Sequence, residues 1–180
     1  IQTIETPSIE ASAELMREVD VVVATGGAAM VKSAYSSGKP AYGVGPGNVQ
    51  CIIDDDVDIT ECVPKIIAGR KFDNGIICSG EQTVIAPAGK YDAIMAEFQK
   101  NNCAFITDPA QKQALREALF PGGVMNKDLV GQGVAKIAAA AGLTVADGTQ
   151  VILVEADGHG HADLLCKEKM CPVIATFKYN

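Results

Sequence analysis

The chain has 180 residues, 48% of them hydrophobic and 21% charged, with a formal net charge of −7. This composition excludes wholesale disorder, since there is apolar surface enough for a core; the acidic balance argues against a general nucleic-acid binder but leaves room for a local anion pocket. No apolar run reaches the ~18 residues of a membrane span, and residues 1–7 lack the regions of a signal peptide, so a soluble, cytoplasmic protein with no membrane partner is expected.

In chain order, Thr6-Pro7 predicts a helix start, with Thr6 as N-cap and Pro7 at the first helical position. Ile9, Ala13, Met16 and Val19 follow at helical spacing and should face a core. Val21 to Ala24 reads as a buried strand, Thr25-Gly26-Gly27 as a turn, and Ala28 to Ser37 as a helix stopped by Gly38-Lys39-Pro40. With a strand at Ala41 to Val44, this is the repeating unit of doubly wound nucleotide-binding folds. The glycine-rich run from Gly43 to Asn48 reads as a domain junction, dividing residues 1–46 from 47–180.

Beyond the junction the pattern gives a strand at Val49 to Ile53, acids at Asp54 to Asp58, and a helix to about Lys71 broken by Asp73-Asn74-Gly75. A strand at Thr83 to Ala86 and a helix buried through Ile94, Met95 and Phe98 come next. Then follow a strand at Ala104 to Thr107, a helix from about Pro109 to Leu119, and a small-residue helix from Leu129 to Ala141 capped by Gly142. Strands at Val151 to Glu155 and Val173 to Phe177 complete an α/β fold with a largely parallel sheet and helices on both faces. Phe177 to Asn180 follows the last strand with no covering helix, so a chain cut from something longer is expected.

Six cysteines, at 51, 62, 78, 103, 166 and 171, form no CxxC pair and several lie in apolar runs, so neither a disulfide scaffold nor a metal site is expected. Cys78 differs from the rest. It follows a helix-breaking turn and precedes Ser79-Gly80, small residues that leave backbone N–H groups free near the sulfur. An attacking thiol must be accessible and partly ionised, and free N–H groups there would hold a developing oxyanion. Local chemistry alone reads Cys78 equally well as a buried packing residue.

The run Phe72-Asp73-Asn74-Gly75-Ile76-Ile77-Cys78-Ser79-Gly80-Glu81-Gln82 resembles the active-site segment of CoA-acylating aldehyde dehydrogenases. These include the acetaldehyde and propionaldehyde enzymes and the aldehyde half of bifunctional aldehyde-alcohol dehydrogenases. The likeness extends through Ala24 to Gly27, Gly43 to Asn48, Asp56 to Ile59, Asn126, Val130-Gly131 and Lys167 to Pro172. It implies that residues 1–46 end an NAD-binding Rossmann-like domain and that 47–180 form most of a catalytic domain. Cys78 would attack a small aldehyde, hydride would pass to NAD, and coenzyme A would take the acyl group from a Cys78 thioester. Thr25, Gly26 and Gly27 would bind the cofactor, and Glu168 would hold its nicotinamide ribose; taken alone, a glutamate between two lysines reads as a surface charge. A second oxyanion donor, the early NAD-binding strands and an oligomerising arm lie outside the sequence, so the segment alone should not turn over. For the parent, a homo-oligomer, a fused or partner alcohol dehydrogenase and a bacterial microcompartment are the implied associations.

Hydrolytic aldehyde dehydrogenases carry a glutamate base where Val44 stands here, so a thioester should survive until the CoA thiol arrives. The competing readings are a hydrolytic enzyme with its base elsewhere and a non-catalytic assembly module. Gly43-x-Gly45-x-Gly47 reads as a hinge, because a strand follows it where a dinucleotide fingerprint needs a helix. Asp157, His159 and His161 read as a solvated loop, Cys166 and Cys171 as packing residues, and Asp54 to Asp58 as acids at a helix N-terminus.

Overall fold

A computed structural model describes residues 2–180. The chain divides into two compact units, one ending at Pro46 and one comprising Gly47–Asn180.

In the first unit, α1 (Ile9–Glu18), β1 (Val22–Thr25), α2 (Ala28–Tyr35) and β2 (Ala41–Val44) alternate. β1 and β2 pair in parallel, Val22 opposite Ala41. The helix start expected at Thr6 is displaced by two residues. Ser8 is the N-cap, its hydroxyl accepting from the Ala11 N–H at 3.0 Å, while the residue before a proline is driven to extended backbone. Met16 and Val19 pack on Val22, Ala24 and Ala34, but Ile9 is 84% exposed and does not face that core. α2 ends at Tyr35, whose hydroxyl accepts from the Gly43 N–H at 3.1 Å.

The second unit is a five-stranded sheet in the order β3-β4-β7-β6-β5, every pair parallel. Its strands are β3 (Val49–Ile52), β4 (Glu81–Pro87), β5 (Cys103–Ile106), β6 (Val151–Glu155) and β7 (Val173–Tyr179). Side chains alternate between faces along a strand, and both faces here are apolar. Val151 and Leu153 join Ile174, Val84 and the helices α3 (Ile59–Lys71) and α4 (Tyr91–Lys100) on one side. Ile152, Val154 and Val173 join α5 (Pro109–Leu119) and α6 (Val134–Ala140) on the other. Each fully buried aliphatic side chain contributes roughly 1.5–3 kcal/mol of transfer free energy, which explains the near-continuous apolar strands.

α3 begins at Asp58, whose carboxylate accepts from the Thr60 N–H at 2.8 Å. The single helix expected over Leu129–Ala141 is instead a short 3₁₀ turn at Lys127–Leu129 followed by α6 from Val134. Gly131, at φ +67°, interrupts it, and its N–H is committed to the Met170 carbonyl at 2.9 Å. Gly142 sits just past α6 in the left-handed conformation, as its position predicts. Among the described residues no helix is long and apolar enough to cross a membrane.

Candidate active site around Cys78

Three neighbouring parallel strands, β3, β4 and β7, are entered by three loops at the same end of the sheet. Gly47-Asn48 leads into β3, the Cys78 loop into β4 and residues 167–172 into β7. The register sets Val49 opposite Glu81 and Thr83 opposite Ala175. Sequence positions more than a hundred residues apart therefore converge.

The Cys78 loop is bent by two successive residues in left-handed backbone, Asp73 at φ 47° and Asn74 at φ 51°, then Gly75 at φ +71°. Two turns close it, Ile76 N–H to Asp73 O at 3.3 Å and Gly80 N–H to Ile77 O at 3.2 Å. Cys78 lies at the exposed tip. Among the described residues, the N–H groups of Cys78 and Ser79 donate to no protein acceptor, which leaves them available to an oxyanion. Beside the loop lies a cleft of about 340 Å³, lined by Ala68, Phe72, Ile77, Ser79 and Glu81.

Cys78 stands apart from the other five thiols. Burial pushes Cys51 up to about 11, Cys103 to about 12 and Cys171 to about 11, and it raises Cys62 and Cys166 as well. Cys103, Cys166 and Cys171 are buried. At neutral pH these groups are thiols with almost no nucleophilic form.

Gly47 joins the predicted residues Cys78 and Glu168. A β-carbon on Gly47 would overlap the Cys78 carbonyl oxygen and stand 3.4 Å from the Cys78 Cβ. Its amide faces the Glu168 carboxylate. Glu168 is half-buried, not a freely solvated charge. Burial raises its pKa, while the Gly47 amide and the charges of Arg70 and Lys169 oppose that rise.

Sequence reasoning missed the two cations behind the loop. Arg70 and Lys169 are wholly buried. Arg70 Nη2 donates to the Cys171 carbonyl, and the Cys171 and Arg70 carbonyls together crowd the Cα of Gly75. A lysine beside two other charges in Lys167-Glu168-Lys169 gives no local sign of burial. A signal for Arg70 exists only in its place on the α3 face that also carries Val63, Ile66 and Ile67.

The predicted cofactor turn lies in the first unit. Gly27 is the N-cap of α2, and a β-carbon there would meet nothing within 4 Å. The first helical amides are therefore open to a ligand's close approach. Gly26 would touch only the flexible Met30 side chain. The loop of Asp157, His159 and His161, read from the sequence as solvated, is partly engaged with its surroundings: Asp157 pairs with Lys112 and Arg116, and His159 stacks on Phe177 at 5.2 Å. Among the described residues no group of three His, Cys, Asp or Glu side chains converges to hold a metal.

No family model matches the chain. It is 52% identical over all 180 residues to the succinate-semialdehyde dehydrogenase (acetylating) of Clostridium kluyveri, spanning 40% of that protein. An acetylating aldehyde dehydrogenase from Geobacillus thermoglucosidasius superposes with a TM-score of 0.92 at 34% identity, over 96% of this chain and 38% of that one. A propionaldehyde dehydrogenase from Rhodopseudomonas palustris, solved with bound CoA and an acylated cysteine, superposes with a TM-score of 0.88 at 30% identity. That match covers 98% of this chain and 40% of the other. The chain thus spans about 40% of the length of these relatives.

Proposed function

We propose, from the premise that this chain is homologous over its whole length to a segment of the CoA-acylating aldehyde dehydrogenases, that it carries the thiol-bearing centre of an enzyme converting a small aldehyde to its acyl-CoA. The observation that carries the reading is the junction at Gly47, whose amide faces Glu168 and whose Cα lies against the peptide of the exposed Cys78.

In this reading the Cys78 thiolate attacks the aldehyde carbonyl carbon, and the carbonyl oxygen becomes an alkoxide that the free N–H groups at the loop tip stabilise. Removing one such donor typically costs roughly 3–4 kcal/mol of transition-state stabilisation. The nicotinamide cofactor, when bound, supplies the hydride acceptor. Loss of hydride from the former aldehyde carbon leaves a thioester on Cys78. The CoA thiol, its proton lost to solvent, then attacks the thioester carbonyl as the thiolate, the bond from that carbon to the Cys78 sulfur breaks, the Cys78 thiolate departs, and acyl-CoA leaves. Every step is reversible.

The residues present suit a nicotinamide cofactor. Glu168 offers a half-buried carboxylate to ribose hydroxyls, and Gly26 and Gly27, with Thr25, offer open backbone at the start of α2 to a diphosphate. Residues up to Pro46 are accordingly assigned to the end of the cofactor domain and Gly47–Asn180 to the catalytic domain. Val44, an apolar residue where hydrolytic relatives of this family carry a base, favours transfer to CoA over release of acid.

The test uses the full-length enzyme carrying this segment. Incubated with aldehyde and NAD but no CoA, it should accumulate an acyl adduct on Cys78 by peptide mass spectrometry, and added CoA should discharge the adduct as acyl-CoA. Free acid formed at the same rate without CoA, or an adduct on another cysteine, would overturn the reading. The 180 residues alone are expected not to turn over.

A further inference from the structure

Residues 165–171, which carry Glu168, have five of their seven carbonyls tied down by donors from elsewhere in the second unit or from their own segment. The Lys169 ammonium donates to Leu165 O at 2.8 Å and Lys167 O at 3.1 Å, so the side chain folds back beneath its own loop. Asn48 Nδ2 holds Cys166 O at 2.8 Å, the Gly131 N–H holds Met170 O at 2.9 Å, and Arg70 holds Cys171 O. The Lys169 N–H itself donates to the Gln82 amide oxygen at 3.0 Å. Met170 is kept at φ 38°, a conformation that costs a non-glycine residue about 1–3 kcal/mol and persists only where the surroundings over-determine it.

Simple packing does not account for a lysine here. An apolar side chain of the same length would fill the volume without desolvating an amine, but it would leave the Leu165 and Lys167 carbonyls without their donor. The groups facing Lys169 are Arg70, Cys171, Cys166 and Asp163. Burial and the Arg70 charge lower its pKa to about 7, and a neutral amine still has two N–H donors for those two carbonyls. Its hold on the loop therefore survives on both sides of neutrality.

We propose that Lys169 is a positioning residue for Glu168: by clamping Leu165 O and Lys167 O it fixes the turn that presents the Glu168 carboxylate beside Gly47, where the cofactor ribose binds. The inference rests on the assignment of Glu168 above. It extends that assignment to a buried residue that touches neither substrate nor cofactor.

The test is a fluorescence titration of NADH into the full-length enzyme, run alongside the rate of Cys78 alkylation by iodoacetamide. Lys169→Met and Glu168→Gln should each weaken NADH binding about tenfold, the scale of one or two lost charge-assisted hydrogen bonds. Cys78 alkylation should stay within about twofold of wild type, as expected when the loss acts through Glu168 and leaves the thiol loop intact. The double variant should bind NADH no more weakly than Glu168→Gln alone, because contributions acting through one group do not add. Should Lys169→Met fail to fold, Lys169→Gln, a polar side chain one atom shorter whose amide sits further from the two carbonyls, is read in the same way. If Glu168→Gln weakens binding while the Lys169 variant leaves it unchanged, or if the two effects multiply, the inference is wrong and the Glu168 assignment stands. If Glu168→Gln itself changes nothing, the assignment fails and takes the inference with it.

Discussion

Gly47 and Cys78 touch through their backbones: a β-carbon at residue 47 would overlap the Cys78 carbonyl oxygen and stand 3.3 Å from its carbon. The neighbour is main chain and cannot swing aside as a side chain would. Gly47→Ala should therefore displace the Cys78 loop at a cost of about 1–3 kcal/mol, the range for overpacking. The expected result is a lower rate of Cys78 acylation in the full-length enzyme, with folding of the first unit unaltered. Unchanged acylation would show that the loop yields freely and that the contact has no part in the chemistry.

Iodoacetamide mapping of the six thiols separates accessibility from chemistry. A group pushed to about 11, as Cys51 is, has only about 0.1% thiolate at pH 8, and the thiolate is the reacting form. Cys103, at about 12, is lower again and buried. Cys78 should be alkylated at least about tenfold faster than any other cysteine, since it is the exposed thiol of the six while burial pushes the pKa values of the other five up. Equal labelling of Cys51 or Cys103 would remove the distinction on which the site rests.

What the sequence could disclose about this site divides along the range of the interactions. The Cys78 loop, the Gly27 turn and the Gly142 cap follow from local backbone chemistry and were readable from residue types. The convergence of Gly47, Cys78 and Glu168 was not, because it depends on β3, β4 and β7 being neighbours, an order that no stretch of chain encodes by itself. Gly47 read as a hinge glycine for that reason, its true constraint being a carbonyl 31 positions away. The buried cations escaped likewise: Lys169 differs from the exposed Lys167 only in its three-dimensional partners. At α6 the small-residue pattern overran the real helix because Gly131 spends its N–H on Met170, a long-range bond that local helical periodicity cannot anticipate.

Asp163 gives the fold an acid-sensitive anchor close to the Glu168 loop. Its side chain is 2% exposed and accepts from Arg116 at 2.8 and 2.9 Å and from the Leu165 and Asp157 N–H groups at 3.0 Å. Burial alone would raise its pKa, but these four donors outweigh burial and hold it at about 2. A depressed carboxylate contributes stability that is fully present above the unfolded pKa of about 4 and is lost as pH falls through the folded value. The contribution is about 2 kcal/mol at neutral pH. Urea unfolding at pH 7, 4 and 2.5 should show wild type losing more than half of that amount between pH 4 and 2.5, while Asp163→Asn starts lower at pH 7 and changes less. Parallel loss in both proteins would place the acid sensitivity elsewhere.

Gly75 and Arg70 share one contact region but make predictions of different size. At Gly75, φ is +71° and a β-carbon would lie 2.7 Å from the Cys171 carbonyl and 3.0 Å from the Arg70 oxygen. Gly75→Ala therefore combines a disfavoured backbone with overpacking against main chain, and should cost about 2–4 kcal/mol. Arg70 donates to the Cys171 carbonyl, yet its Nε and Nη1 are buried without a partner among the described residues. Its removal loses one bond but also relieves an incompletely compensated buried charge, and such replacements by apolar residues of similar volume are often close to neutral. Arg70→Met should then destabilise the chain by less than about 2 kcal/mol, clearly less than Gly75→Ala. Denaturant midpoints for the two variants, compared at equal slope, decide the matter. If Arg70→Met proves the more damaging, the guanidinium is compensated by more than Cys171, and the charge behind the Cys78 loop belongs among the groups that hold the site together.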